Sequence, residues 1–161
     1  MGKTLLIVWH SRTGGARQMA EAAAADEPNV TVRLLRAEDA AAADLAGADG
    51  YIFAAPENLA ALSGPMKDFF DRCYYPVLGR IEGRPYATMI CAGSDGENAV
   101  RQIARIATGW RLRQIAEPIV VCTRAQTPEA ILAPKTVSPA DLARCAELGA
   151  AFAAGLDAGI Y

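Results

Sequence analysis

The sequence contains little of the side-chain chemistry that binds metals. It has a single histidine, His10, and four widely spaced cysteines that form no Cys-x-x-Cys pair. Zinc sites use closely spaced cysteine and histidine ligands, so we predict no metal site. The cysteine spacing also gives no sign of a disulfide framework. Cys91 and Cys122 end apolar runs, which is typical of cysteines that pack as small hydrophobic residues.

The sequence also lacks a large excess of charge of one sign and a long apolar run. The chain has 16 basic and 18 acidic residues, a net charge of −2, and no basic stripe of the kind that binds nucleic acid. Although 52% of the residues are hydrophobic, no run reaches the roughly 20 residues that span a bilayer. The first strand begins within three residues of the start, which leaves no room for a signal peptide. We therefore expect a cytoplasmic protein with no nucleic-acid or membrane partner.

Apolar runs alternate with helical patterns along the whole chain. The predicted strands are Lys3–Trp9, 30–35, 50–55, 85–91 and 115–122, and the last is interrupted near its middle by Pro118, which suits a strand at the sheet edge. The predicted helices are 16–25, 37–46, 64–72, 98–108 and 138–154. This alternation predicts one α/β domain, residues 1–161, with a parallel sheet covered by helices on both faces. The connection 123–137 is long for a loop, and it fits a lid, a dimer arm or a surface strap.

The turn between the first strand and the first helix predicts an anion site. The first amides of a helix have no intrahelical acceptor, and the helix dipole adds partial positive charge at the same end. Ser11 and Thr13 add hydroxyl donors, while Gly14 and Gly15 let the backbone curl around a phosphate. Simple helix capping by the two hydroxyl residues is the alternative interpretation.

Two neighbouring side chains each allow two interpretations. Arg12 fits a bidentate phosphate contact or a solvated surface position. His10 stands where the strand ends, and its ordinary pKa of about 6.5 would suit a proton relay. A packed, hydrogen-bonded structural histidine is the other interpretation, and it is the one we favour.

Two further loops carry polar content at strand ends, residues 56–64 and 92–98. In an open parallel sheet, ligands bind beyond the carboxyl ends of the strands. The backbone amides, hydroxyls and side-chain amides of these loops suit the polar edge of a heterocycle. Glu57 would also fit a solvated turn, Asp95 would also fit a helix cap, and the glycines of the second loop would also fit ordinary turns.

Together these loops resemble the flavodoxin-like NAD(P)H-dependent FMN reductases and quinone reductases. The stretches that carry the resemblance are 11–15, 55–58, 63–72 and 91–96. The resemblance implies a flavodoxin-like three-layer sandwich whose five-stranded parallel sheet has the order 2-1-3-4-5. It also implies FMN bound at the ends of the first and third strands.

By this resemblance, three groups of residues hold the FMN cofactor. The residues that would bind its phosphate are Ser11, Arg12, Thr13, Gly14, Gly15 and Ala16. The residues that would line one side of the isoalloxazine ring are Pro56, Glu57, Asn58 and Leu59. The residues that would meet its pyrimidine edge are Gly93, Ser94, Asp95 and Gly96. The flavin carries the redox chemistry, so no catalytic side chain is predicted.

The sequence departs from electron-transfer flavodoxins in two ways. Those proteins usually sandwich the flavin between aromatic rings and are strongly acidic, whereas neither flavin loop here contains an aromatic residue and the chain is near neutral. An open flavin face would accept NAD(P)H as a diffusible donor and then a quinone, flavin or similar small acceptor. An electron carrier that does not oxidise NAD(P)H, and a module that has lost FMN, are the alternatives. The resemblance also implies a homodimer formed through the third and fourth helices.

Overall fold

A computed structural model describes residues 2–161, which form a central sheet with helices on both faces. The strands are β1 (Lys3–Trp9), β2 (Val30–Arg36), β3 (Gly50–Asn58), β4 (Ala61–Leu62), β5 (Pro85–Ala92), β6 (Arg113–Gln114) and β7 (Ile119–Cys122). The helices are α1 (Gly15–Ala23), α2 (Ala42–Ala46), α3 (Gly64–Val77), α4 (Glu97–Gly109), α5 (Pro128–Leu132) and α6 (Pro139–Asp157).

The sheet has the predicted topology. Its strands run in the order β2-β1-β3-β5, and β6 and β7 both pair with the outer edge of β5. All of these pairings are parallel, and only the short β4 lies antiparallel to β3. When β6 and β7 are counted as one interrupted strand, this is the order 2-1-3-4-5 of a flavodoxin-like sandwich, and the predicted fold class is confirmed.

Three local predictions were wrong. The predicted fifth strand, 115–122, is interrupted at Pro118 as expected, but residues 115–117 are not a strand: β7 starts only at Ile119, directly after the proline, which has no amide to donate to β5. The predicted helix 37–46 begins at Ala42, because the amide of Ala37 donates to the carbonyl oxygen of Trp9 (2.7 Å) instead of entering a helix. The segment 123–137 contains α5, whose first turn is capped by the Thr127 hydroxyl (3.2 Å from the Ala130 amide).

Two hydrophobic cores lie on opposite faces of the sheet. One is aromatic, with Phe53 and Phe70 in edge contact (5.0 Å between ring centroids) beneath α3 and α4. The other lies beneath α1 and α6 and includes Met19 and Phe152. Every residue of β5 is buried, as expected for a central parallel strand.

Within residues 2–161, no helix is both long enough and apolar enough to cross a membrane. The four cysteines of this part of the chain are free, and Cys73, Cys91 and Cys145 are buried.

Candidate functional site

The three polar loops meet at the carboxyl edge of the sheet. The parallel register aligns Trp9 at the end of β1 with Ala54, and Ala92 at the end of β5 with Cys122. Each loop therefore leaves the same edge of the sheet from neighbouring strands. This is the edge at which ligands of open α/β sheets bind.

The first loop forms a tight turn into α1. Gly14 has a left-handed backbone (φ 96°), which a side chain would disfavour, and α1 begins at the next residue. The amide of Gly14 donates to the Ser11 Oγ atom (3.0 Å), so the Ser11 hydroxyl closes the turn and keeps its own proton for another acceptor. No side chain caps α1, so its first-turn amides face the loop without an intrahelical acceptor.

The donor set of this loop fits a phosphate monoester such as that of FMN. Within residues 2–161, the Arg12 guanidinium and the Thr13 hydroxyl have no hydrogen-bond or ion-pair partner, and loop residues 10–16 include no carboxylate. Gly15 and Ala16 are buried, with the Gly15 backbone directly against the Cys91 side chain. Charged and neutral donors thus surround an uncapped helix N-terminus, which is an arrangement suited to a dianion.

The second loop is a β-hairpin rather than an irregular connection. Residues 56–58 extend β3, and Asn58 pairs with Ala61 of β4 across a two-residue turn. Both turn residues, Leu59 and Ala60, have left-handed backbones (φ 51° and 59°). Such type I′ turns favour Asn-Gly, and each non-glycine residue held there costs about 1–2 kcal/mol. The hairpin therefore presents a fully exposed Leu59 at a strained tip (102% exposed).

Helix α4 holds this hairpin in place. The Asn98 side-chain amide donates to the Ala60 carbonyl oxygen (2.5 Å), and Gln102 Oε1 accepts from the Leu62 amide (2.6 Å). Neither residue was among those predicted, because nothing in the sequence shows that a helix and a hairpin so far apart will touch. These contacts offset the strain of the turn and position the second loop.

Glu57 has a role that the sequence did not suggest. Its two carboxylate oxygens accept from the amides of Gly96 (3.0 Å) and Ala99 (3.1 Å), so it caps α4 from the neighbouring loop. The Glu57 carboxylate is therefore not a solvated turn group, because both of its oxygens already accept hydrogen bonds from the backbone of the third loop and α4. The signal that could have indicated this was Gly96 itself, which has no side chain to cap the helix it precedes. A contact between Glu57 and flavin stays a prediction.

The third loop is fixed by packing at Gly96 and by hydrogen bonds at Asp95 and Gly93. Gly96 has a left-handed backbone (φ 88°), and a Cβ there would lie 2.8 Å from Val120 Cγ1, so glycine is required. Asp95 Oδ1 accepts from the Glu97 amide (3.2 Å), which matches the helix-cap interpretation of Asp95. The Gly93 carbonyl oxygen accepts from the Arg124 amide (2.8 Å).

The remaining predicted residues differ in their exposure. Pro56 is half-buried beside Cys91 of β5, and Asn58 and Ser94 are exposed. No aromatic residue lies in any of the three loops, 10–16, 56–64 and 92–98. The exposed aromatic pair, Tyr74 and Tyr75, is on α3 instead, with the two rings stacked on each other (4.9 Å).

His10 is a buried structural residue linking two of the loops. Its Nδ1 atom is 2.8 Å from the Ser63 hydroxyl, which lies just before α3, and its Nε2 atom is 3.9 Å from a Glu38 carboxylate oxygen. Burial lowers the pKa of His10 below its ordinary value of 6.5; Glu38 opposes this shift, while Arg12 and Arg36 add to it. The neutral imidazole is thus the form that fits the fold.

We expect the stability of the protein to fall on mild acidification because of His10. Its pKa is lower in the folded chain than in the unfolded one, so the unfolded chain binds more protons below about pH 6.5. The stabilisation is complete above that pH and is lost as the pH falls through 6.5 toward the folded pKa. Urea unfolding at pH 7.5, 6.5 and 5.5 measures the free energy of unfolding. This free energy should fall more steeply with falling pH in the wild type than in His10→Asn, whose side chain does not titrate. Equal slopes would contradict this assignment, since the chain has no other histidine.

Among residues 2–161, no three histidine, cysteine, aspartate or glutamate side chains come together as a metal site would require.

Similar solved structures share the whole fold. An archaeal flavodoxin superposes with a TM-score of 0.76 at 21% identity, covering 95% of this chain and 98% of that one. The Flv1 flavodiiron core from Synechocystis sp. PCC6803 has a TM-score of 0.78 at 16% identity, covering 98% of this chain but 37% of that one. A flavodoxin, WrbA-like protein from Agrobacterium tumefaciens has a TM-score of 0.68 at 20% identity, covering 95% and 96%. At these identities the likeness shows the flavodoxin-like fold.

Sequence comparison is more specific. A flavodoxin from Aquifex aeolicus (strain VF5) is 32% identical over 99 residues, which is 60% of this chain and 53% of that protein. The chain thus spans about half the length of this curated relative. Residues 15–127, which run from the start of α1 to the cap of α5, match the family model described as NADPH-dependent FMN reductase. The chain belongs to the NADPH-dependent FMN reductase family, with its FMN-binding, flavodoxin-like fold.

Proposed function

We propose that this chain is an oxidoreductase that uses bound FMN to pass electrons from NAD(P)H to a quinone, a flavin or a similar small acceptor. The observation that carries the proposal is the donor-lined turn at the N-terminus of α1, placed beside two loops that contain no aromatic ring. A phosphate site without aromatic cover leaves room for a second planar molecule to approach the flavin. The family match supports the same reaction.

The chain itself contributes binding and orientation. FMN, when bound, supplies the redox centre that takes a hydride from a nicotinamide and reduces the acceptor. Ser11, Arg12 and Thr13, with the first amides of α1, would hold its phosphate. The hairpin at Leu59 and the loop at Gly93 would line the ring, and α4 fixes the hairpin before the ligand arrives. Such preorganisation lowers the entropy that binding must otherwise supply.

The decisive experiment measures FMN binding and NAD(P)H oxidation in the same preparation. The purified protein, mixed with FMN, should show acceptor-dependent oxidation of NADH or NADPH when a quinone is added. Thr13→Ala should weaken FMN binding about tenfold, as expected for the loss of one hydrogen bond to a charged group. Thr108→Ala is the matched control, because Thr108 lies at the C-terminal end of α4, away from the phosphate loop, and its hydroxyl donates only to the Ala104 carbonyl oxygen.

The outcomes separate the rival functions. FMN binding with no direct NAD(P)H oxidation would reject the reductase and favour an electron carrier, the candidate supported by the 32% identity to a flavodoxin. Absence of FMN binding would reject both and leave an interaction module with this fold. Normal FMN binding by Thr13→Ala would remove Thr13 from the phosphate site.

We further propose that residues 1–161 form a single flavodoxin-like domain and that two copies pair. The exposed side chains of Tyr74 and Tyr75 on α3, and of Leu78 directly after it, support the pairing. Tyr74 also lines a groove of about 280 Å³ between α3 and α4 that includes Phe70 and Trp110. Exposed aromatic side chains are enriched at such contacts.

A further inference from the structure

Gln18, a residue of α1 that lies one turn after the phosphate loop, connects that loop to the segment 123–137. Its side-chain amide nitrogen donates to the carbonyl oxygens of Gly14 (2.8 Å) and Lys135 (2.7 Å). Its side-chain oxygen accepts from the amide of Val137 (3.1 Å). The side chain is half-buried, and all of its polar atoms are engaged in these three bonds.

The same segment holds the loop directly. The Lys135 amide donates to the Thr13 carbonyl oxygen (2.8 Å). Two successive carbonyl groups of the phosphate loop, those of Thr13 and Gly14, are therefore fixed by Lys135 and Gln18. At its other end the segment is bonded to the third loop, where the Arg124 amide donates to Gly93. Between these anchors α5 has no buried residue, so the anchors carry most of the segment's attachment.

These carbonyl contacts determine where the loop amides point. In a planar trans peptide the N–H and C=O groups point in opposite directions, and the described chain has no cis peptide. Fixing the Thr13 carbonyl toward Lys135 turns the Gly14 amide the other way, where it meets Ser11 Oγ (3.0 Å). The Gly14 carbonyl oxygen accepts from both the backbone amide of Gln18 (3.1 Å) and its side-chain amide, and this likewise turns the Gly15 amide away from Gln18. That amide is one of the uncapped donors of α1.

We propose that Gln18 and the main chain of Lys135 are positioning residues for the FMN phosphate, and that phosphate binding in turn holds the segment 123–137 against the sheet edge. The inference rests on the proposed FMN site but not on NAD(P)H oxidation. Coupling of this kind is reciprocal: if the docked segment improves phosphate binding, the phosphate stabilises docking by the same factor.

Gln18→Met tests the first half of the proposal, because it keeps the length of the side chain and removes its three hydrogen bonds without adding charge. The FMN dissociation constant, measured by quenching of flavin fluorescence, should rise about tenfold or more. Gln114→Met is the matched control: Gln114 is on β6 and bonds to Tyr86 and Ala116, away from the loop. The control should bind FMN as the wild type does.

Limited proteolysis tests the second half. Trypsin cleaves after Lys135 only when the segment opens locally, since both the amide and the carbonyl of that residue are bonded to α1 and its loop. FMN, and inorganic phosphate more weakly, should slow cleavage of the wild type after Lys135. Gln18→Met without ligand should be cleaved several times faster than Gln114→Met.

A second pair of variants guards against misfolding of Gln18→Met. Lys135→Pro removes the amide that holds Thr13, whereas Lys135→Ala keeps it. Only Lys135→Pro should lose FMN affinity by a similar factor. Wild-type FMN affinity in both Gln18→Met and Lys135→Pro, or a cleavage rate indifferent to FMN, would overturn the inference. A wild type that binds FMN but does not oxidise NAD(P)H would reject the proposed reductase alone, and a wild type that binds neither FMN nor phosphate would overturn both.

Discussion

Gly149→Ala is expected to destabilise the protein by about 3 kcal/mol, although alanine is the better helix former. Gly149 lies in the middle of α6, where the helix crosses α1. A Cβ at this position would overlap the carbonyl oxygen of Ala23 and lie 2.8 Å from its Cα. The obstacle is backbone rather than the end of a flexible side chain, so the two helices must move apart. That movement would also open the buried contacts of Met19 and Phe152 beneath them.

Urea and thermal unfolding measure the effect, and a melting temperature lower by roughly 10 °C corresponds to such a loss in a domain of this size. Gly109→Ala is the matched control. It is also a helical glycine, at the end of α4, but a Cβ there has nothing within 4 Å. The control should be neutral or up to about 1 kcal/mol more stable, as helix propensity alone predicts. A Gly149→Ala protein as stable as this control would show that α1 and α6 do not approach so closely.

Glycine in α6 illustrates what the sequence could and could not indicate. The pattern of residues 138–154 predicted the helix, and Ser138 with Pro139 predicted its start, because capping and periodicity are local properties. Nothing local explains why Gly149 is tolerated in its interior. The reason is the backbone of Ala23, more than 120 residues earlier in the chain.

In the candidate site, too, the features set by local sequence could be predicted and those set by distant contacts could not. The first loop could be recognised because its hydroxyls, its glycines and the helix start lie within seven residues. The meeting of the three loops also followed, since parallel strands place their carboxyl ends at one edge, whereas the strand order came only from the family resemblance. The hairpin at Leu59 was missed because two non-glycine residues in left-handed conformation contradict local preference. It is stabilised by Asn98 and Gln102, and such distant contacts are visible only in the folded chain.

Gly15→Ala should both destabilise the protein and weaken FMN binding. Gly15 is the first residue of α1, and a Cβ there would lie 2.5 Å from the Cys91 Sγ atom. Burial raises the pKa of Cys91, so the thiol is neutral. Because the side chain is buried, the thiol has little room to turn away from a new Cβ. Relief requires α1 to withdraw from β5, at a cost of about 1–3 kcal/mol. The withdrawal moves the amides that face the phosphate, so the FMN dissociation constant should rise along with the loss of stability.

Cys91→Ala provides the decisive partner in a double-mutant cycle. In the combined Gly15→Ala, Cys91→Ala protein the sulfur is gone, and the nearest remaining neighbours of the new Cβ are the Cys91 and Lys135 Cβ atoms at 3.6 and 3.7 Å, which is ordinary contact. The double variant should therefore recover most of the stability and FMN affinity lost by Gly15→Ala, with a coupling of about 1–3 kcal/mol. Failure of Cys91→Ala to rescue FMN binding, despite restored stability, would contradict the assignment of the FMN loss to the withdrawal of α1. Recovery of both would show that the close approach of α1 to β5 sets the position of the anion site, and that glycine is required at residue 15 for packing against Cys91.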